Sequence, residues 1–127
     1  MTEEGGRGLE ILGLVDLHWS GKRELRLPDL QGVDLVLLGG DITHFRGVEE
    51  ARTVIDAIRT AGPRVLAVCG NCAQPEIESY LEAENLALDR QVRTVDGVHF
   101  AGLSAGLPFG GCPYERTEEE YTVAIAE

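Results

Sequence analysis

Three short apolar runs stand out in the first two thirds of the chain. Leucine, valine and isoleucine dominate them without regular alternation of apolar and polar positions, and the runs are residues 9–15, 33–38 and 64–69. Runs of this length and composition are typical of strands that are buried on both faces of a sheet. The pattern therefore predicts three interior strands.

A helical pattern separates the second apolar run from the third. Apolar residues recur at intervals of three and four across residues 48–61, and they are Val48, Ala51, Val54, Ile55, Ile58 and Ala61. This spacing places them on one face of a helix, and Gly62 followed by Pro63 is a typical stop signal. A strand, a helix and a strand in this order predict parallel strands joined by a crossover helix.

Later residues carry the signals of a second helix and of a hairpin. A helix is predicted over residues 75–84, which begin with a proline, a residue that suits the first helical position. Two runs of strand-forming residues follow at 91–95 and 98–103, with Asp-Gly between them. Because this dipeptide is a strong signal of a two-residue hairpin turn, we predict antiparallel pairing here.

The last residues predict one more helix. Glu120 follows Thr117 at the spacing of a capping box, the side-chain arrangement that opens many helices. With the elements above, this predicts an α/β fold, in which a mostly parallel sheet is flanked by helices and a late antiparallel hairpin is added. We expect residues 1–127 to form a single domain.

Polar residues follow each of the three apolar runs. The three sets are Asp16-Leu17-His18, Gly39-Gly40-Asp41 and Gly70-Asn71-Cys72. In open α/β sheets, ligands bind beyond the carboxyl ends of the strands. The three sets are therefore expected to converge on one site, where the glycines would let backbone and ligand approach closely.

The residue types in these sets suit a divalent metal ion. Asp16 and His18 lie two residues apart, which in an extended chain puts both side chains on one face. Asp41 has two oxygens with which to bridge two ions, and Asn71 offers an amide oxygen. Nitrogen and oxygen donors favour manganese, iron, zinc, nickel or magnesium over a thiolate-selective metal. We predict a metal site of these four residues.

The order of these motifs resembles the N-terminal half of the calcineurin-like metallophosphoesterases, as does the stretch of residues 39–47. The resemblance implies one half of that family's α/β-β/α sandwich and the hydrolysis of small phosphate mono- or diesters. It also implies that Asp16 and His18 hold a first metal ion, that Asp41 bridges two ions and that Asn71 holds the second.

Two departures from the family pattern change this expectation. Cys72 stands where the family commonly has a histidine after Gly-Asn, and His44 is the candidate to replace that histidine, so both are candidate catalytic residues. The family completes its site with a Gly-His-x-His motif, whereas the histidines here are His18, His44 and His99, and none follows a glycine. We therefore expect a truncated form, with an incomplete second metal site and little or no turnover.

The sequence leaves two alternatives to a phosphoesterase function. The first is a metal-binding domain without catalysis. The second is a redox protein, because Cys69 and Cys72 form a Cys-x-x-Cys pair between a strand and a helix. The redox hypothesis leaves the other two strand ends unexplained, and the apolar run around Cys69 predicts a core residue instead. His99 alternates with apolar neighbours and is predicted to face a surface.

Charge and composition restrict the classes of partner that the protein can bind. The net charge of −11, from 22 acidic and 11 basic residues, disfavours general binding of nucleic acid. An anionic substrate next to such a protein calls for an intervening cation. No apolar run reaches transmembrane length, and three cysteines without a signal-peptide pattern favour a cytoplasmic protein. An α/β sheet with one uncovered apolar face also predicts self-association.

Overall fold

The computed structural model describes residues 8–22, 24–43, 47–70, 75–106 and 114–126. These residues form an α/β fold, in which a parallel three-stranded sheet is flanked by helices and followed by an antiparallel two-stranded hairpin. In chain order the elements are β1 (Ile11–Val15), β2 (Leu35–Gly39), α1 (Val48–Thr60), β3 (Arg64–Ala67), α2 (Pro75–Ala83), β4 (Gln91–Val95), β5 (Val98–Gly102) and α3 (Glu118–Ala126). The predicted fold class is confirmed.

The main sheet has the strand order β1-β2-β3, and both pairs of strands are parallel. Ile11 lies opposite Leu35, and Leu35 lies opposite Arg64, so the three strands begin and end nearly level. Their carboxyl ends therefore meet at one edge of the sheet, where the three polar sets begin.

Helix α1 covers one face of this sheet. The buried cluster on that face contains Ala51, Val54, Ile55 and Ile58 from the helix and Val36, Leu38 and Val65 from the sheet. Fully burying an aliphatic side chain contributes roughly 1.5–3 kcal/mol, so this layer is a main source of stability. The helix ends at Thr60, just before Gly62, as the sequence predicts.

The hairpin of β4 and β5 covers part of the other face. Leu35 and Leu66 of the main sheet share a second buried cluster with Leu88 and Val95. Asp96 and Gly97 form the hairpin turn, both with positive φ, at 49° and 81°. Positive φ at both central positions is the mark of the type I′ turn for which Asp-Gly is suited, and the predicted hairpin is confirmed.

The first strand departs from the prediction. It was expected to be buried on both faces, but it is an edge strand on which Ile11 is 43% exposed and Val15 is 70% exposed. The reason is tertiary, because the second cluster forms over Leu35 and Leu66 and does not reach the outward face of β1. That prediction is wrong for this strand.

Helix α3 begins with the predicted capping box. The backbone N–H of Thr117 donates to Glu120 Oε1 at 2.7 Å, and the backbone N–H of Glu120 donates to Thr117 Oγ1 at 3.1 Å. The hydroxyl of Tyr121 then donates to the carbonyl oxygen of Ser104 at 2.8 Å. This bond fastens α3 to the segment that follows β5.

The helices of the described residues are short. Helix α1 has 13 residues, and α2 and α3 have 9 each. Within the described parts of the chain, no helix combines the length and the apolar character that crossing a membrane requires.

Candidate metal centre

Three of the predicted ligands meet at the carboxyl edge of the sheet. One donor atom from each of Asp16, His18 and Asp41 lies within 4.8 Å of the other two. His18 Nε2 and Asp41 Oδ2 are 3.8 Å apart. Two donors that each lie about 2.1 Å from one ion are at most roughly 4.2 Å apart. Small side-chain adjustments would therefore let all three donors share one ion.

The backbone holds these residues in place beyond the end of the strands. The N–H of Asp16 donates to the carbonyl oxygen of Gly39, and the N–H of His18 donates to that of Asp41, both at 2.9 Å. Asp16 Oδ1 accepts from the backbone N–H of Asp41 at 3.0 Å. Asp41 is itself only 5% exposed. The Asp16 carboxylate and the backbone of Asp41 are thus positioned by hydrogen bonds that do not depend on a bound ion.

The conformation of the first ligand pair differs from the extended chain that the sequence predicts. Strand β1 ends at Val15, and Asp16 and His18 have φ values of 53° and 49°. Such left-handed backbone is uncommon outside glycine, although aspartate and histidine adopt it more readily than most residues. Both donors still reach Asp41. The predicted meeting of Asp16 and His18 with Asp41 is therefore observed, by a geometry other than the expected one.

Two glycines make room for the carboxylates. Gly40 has a φ of 74°, and a Cβ at this position would overlap Asp16 Oδ1. A Cβ on Gly70 would overlap Asp41 Oδ1 and would lie 2.9 Å from the backbone nitrogen of Asp41. A side chain at either position would displace a predicted ligand. The close approach that the sequence predicts for these two glycines is present.

Three other predicted site residues are His44, Asn71 and Cys72. All three lie outside the described residues. Their roles as second-metal ligand and candidate catalytic residues stay predictions.

A buried polar network beside the centre was missed in the sequence. Ser104 is fully buried, and its backbone N–H donates to Asp89 Oδ1 at 2.8 Å. Arg116 donates to both carboxylate oxygens of Asp89, at 2.7 and 2.6 Å. Burial alone would raise the pKa of Asp89, but the hydrogen bonds from Arg116 and Ser104 hold it below its ordinary value. The three residues lie in separate segments, so no local motif marks them.

Cys69 lies in the core and carries a free thiol, as its apolar surroundings predict. Burial raises the pKa of this thiol, and the neighbouring carboxylates of Glu78, Asp89 and Asp41 raise it further. Since the thiolate is the reactive form of cysteine, this environment disfavours a redox role. His99 is exposed, as predicted, and its Nδ1 lies 2.8 Å from Thr94 Oγ1.

Comparison with known proteins adds one relative. No family model matches the chain. A protein of Methanocaldococcus jannaschii described as "Uncharacterized protein MJ1162" is 34% identical over 118 residues, covering 88% of this chain and 51% of that protein. The chain thus spans about half the length of this relative. No solved structure matches. The resemblance to metallophosphoesterases stays a prediction that rests on motifs and on the geometry of the centre.

Proposed function

We propose that the chain carries the metal-binding part of a phosphoesterase that hydrolyses small phosphate mono- or diesters. The observation that carries the proposal is the meeting of Asp16, His18 and Asp41 within 4.8 Å at the carboxyl ends of two adjacent strands. Two carboxylates and one imidazole suit manganese, iron, zinc, nickel or magnesium. The close packing of Gly40 against Asp16 and of Gly70 against Asp41 also supports a preformed metal site.

The residues of the centre have distinct tasks in this proposal. Asp16, oriented by the backbone N–H of Asp41, would hold a first divalent ion together with His18 and Asp41. A bound divalent ion polarises the phosphoryl group of an ester and offsets the negative charge that develops in the transition state. The net charge of −11 repels an anionic substrate, and a bound cation would reverse the sign of the charge at the site.

The second half of the centre is part of the same proposal. Asp41 and Asn71 would hold a second ion, and His44 and Cys72 are the candidates for contact with the phosphate. The relative has about as much chain again beyond the matched part, which leaves room for the further ligands that the resemblance implies. For the 127-residue chain we expect metal binding with little or no turnover.

Metal binding can be tested with manganese chloride and calorimetry. We expect binding by the wild type and a loss of at least tenfold in affinity for His18→Ala and Asp41→Asn, because the first removes a donor and the second replaces a charged carboxylate with a neutral amide. His99→Ala is the matched control, because it removes an exposed histidine from the hairpin. Absence of binding by the wild type, or equal binding by all variants, would refute the metal centre.

Catalysis needs a separate assay in a chain that includes the region matching the rest of the relative. Hydrolysis of p-nitrophenyl phosphate and of its bis ester is measured with Mn²⁺ present. Turnover that His18→Ala abolishes supports the phosphoesterase. Metal binding without turnover of either ester would favour the alternative of a non-catalytic metal-binding domain.

The cytoplasmic location belongs to the proposal as well. A free, buried thiol at Cys69 fits a reducing compartment. The redox alternative requires a reversible disulfide between Cys69 and Cys72, which alkylation and mass spectrometry would detect.

A further inference from the structure

The end of strand β3 is tied to the segment that follows β5. The backbone N–H of Cys69 donates to Ser104 Oγ at 2.9 Å. The backbone N–H of Ala105 donates to the carbonyl oxygen of Cys69 at 2.8 Å. Two consecutive residues thus hold both the N–H and the carbonyl group of Cys69, just before the glycine that lies against the candidate centre.

This clamping segment is itself anchored from two sides. Asp89 accepts from the N–H of Ser104, and the hydroxyl of Tyr121 donates to the Ser104 carbonyl oxygen. Arg116 grips Asp89 with a two-pronged pair of hydrogen bonds and also donates to the hydroxyl of Tyr114 at 2.9 Å. Bonds of this bidentate, charge-assisted kind are among the strongest and most directional in proteins. The position of Ser104 is therefore well determined.

The clamp reaches the candidate metal ligand through one glycine. The N–H of Gly70, the residue after Cys69, donates to the carbonyl oxygen of Gly40 at 2.9 Å. The Cα of Gly70 lies so near the carboxylate of Asp41 that an added methyl would overlap it. Gly70 packs directly against the side chain of Asp41. A small shift of the Cys69–Gly70 peptide therefore changes where the Asp41 carboxylate can lie relative to His18.

We propose that Ser104, held by the Asp89–Arg116 pair, is a positioning residue of the metal centre. It fixes the Cys69–Gly70 peptide, and this peptide sets the position of the Asp41 carboxylate. The inference rests on the proposed metal centre and adds residues that touch neither metal nor substrate. Groups that are hydrogen-bonded directly to a metal ligand typically change metal affinity by roughly 10–100-fold when they are altered, and Ser104 acts one step further out, through Cys69 and Gly70.

The first test is Ser104→Ala in the full chain, with Mn²⁺ as the probe. The substitution leaves the N–H of Cys69 without its acceptor. We expect the affinity for Mn²⁺ to fall about tenfold, at the lower end of the range for such partners. Affinity is measured from the intensity of the electron paramagnetic resonance signal of free Mn²⁺, which decreases as the ion binds to the protein. Backbone amide resonances of Gly70 and Asp41 in metal-free protein are expected to shift.

Arg116→Lys is a second variant, which keeps the positive charge but loses the two-pronged grip on Asp89. We expect this variant to lose Mn²⁺ affinity severalfold, which is less than the loss for Ser104→Ala. If Ser104→Ala does not fold, Arg116→Lys tests the proposal in its place. Ile58→Val is the control for general destabilisation. Ile58 is fully buried near the end of α1 and is not one of the residues of the clamp or the centre. Its substitution should therefore lower the melting temperature without changing Mn²⁺ affinity more than about twofold.

The outcomes separate this inference from the proposed function. If the wild type binds Mn²⁺ and both variants bind it equally well, the positioning role is refuted and the centre stands. If Ile58→Val weakens binding as much as Ser104→Ala at a matched loss of melting temperature, the effect is one of stability and the inference is again refuted. If the wild type binds no Mn²⁺, the metal centre itself fails, and the positioning role fails with it.

Discussion

Gly40 and Gly70 have no side chain to keep the backbone away from the two carboxylates of the candidate centre. Gly40 packs against Asp16, and Gly70 packs against Asp41. Asp16 and His18 adopt positive φ, which strains their backbone. Such strain persists only where the surrounding structure compensates for it, and it is often found at functional sites. At the scale of single residues, the centre thus depends on glycine at positions 40 and 70 as much as on its three donor residues.

This dependence leads to a prediction for Gly70→Ala. The added methyl meets the carboxylate and the backbone nitrogen of Asp41, and the backbone cannot move aside cheaply. We expect at least a tenfold loss of Mn²⁺ affinity and a lower melting temperature, measured by calorimetry. Gly13→Ala is the matched control, because a Cβ there has nothing within 4 Å and the φ of Gly13 is not positive. Mn²⁺ affinity that is equal in the two variants would contradict the packing argument.

At the scale of elements, α2 combines a core-facing side with an acidic residue in the interior. Ile77 and Leu81 are buried, as the predicted helix requires, but Glu78 is also buried, at 6% exposure. Burial raises the pKa of Glu78, a hydrogen bond from the Ser104 side chain partly offsets this rise, and the nearby carboxylate of Asp89 adds to it. The hydroxyl of Tyr114 lies 3.4 Å from Glu78 Oε1. The helix therefore carries a carboxyl group that is harder to ionise in the folded protein than in water.

The raised pKa makes the stability of the protein depend on pH. The folded state binds this proton more tightly than the unfolded chain does. The contribution of Glu78 is therefore complete below its ordinary pKa of about 4.3 and declines as the pH rises through the higher folded-state pKa. Glu78→Gln has no charge to bury, so we expect its melting temperature to exceed that of the wild type by more at pH 7 than at pH 4.

Thermal denaturation at the two pH values measures this difference. Glu76→Gln is the control, because Glu76 is exposed on the same helix, and it should change the melting temperature little at either pH. A Glu78→Gln shift that is the same at pH 4 and pH 7, or a loss at pH 7, would show that Glu78 does not resist ionisation.

At the scale of the whole molecule, the parallel sheet is covered unevenly. Helix α1 covers one face, whereas the hairpin covers only the part of the other face around β2 and β3. The outward side of β1 leaves Ile11 and Val15 exposed at the sheet edge. Apolar surface of this kind, on a strand that lies at the edge of the sheet among the described residues, favours contact with other chains.

We therefore expect copies of the chain to associate through the outward face of β1 as concentration rises. Size-exclusion chromatography with light scattering should give a mass above that of the monomer. Ile11→Lys should return it towards the monomer, since a charge would then lie in the contact. Val123→Lys, which alters an exposed apolar residue of α3, should not. A monomer at every concentration, or equal effects of the two variants, would contradict this expectation.

The sequence by itself determined the elements and their order. Helical spacing in α1, the Gly-Pro stop, the Asp-Gly turn and the Thr117–Glu120 capping box all act within a few residues, so they can be recognised locally. The observed bounds differ from the predicted ones by no more than two residues. The convergence of Asp16, His18 and Asp41 was also predictable, because parallel strands bring their carboxyl ends to one edge.

Only the tertiary structure decided the remaining features. The exposure of β1 depends on how far the hairpin reaches across the sheet, and the left-handed backbone of Asp16 and His18 depends on their pairing with residues on β2 and beyond. The clamp of Ser104, Asp89 and Arg116 joins segments that are distant in sequence, and Ser104 itself is 35 residues from Cys69. Buried hydrogen bonds of this kind have no local pattern, because each exists only when folding brings both partners out of water together.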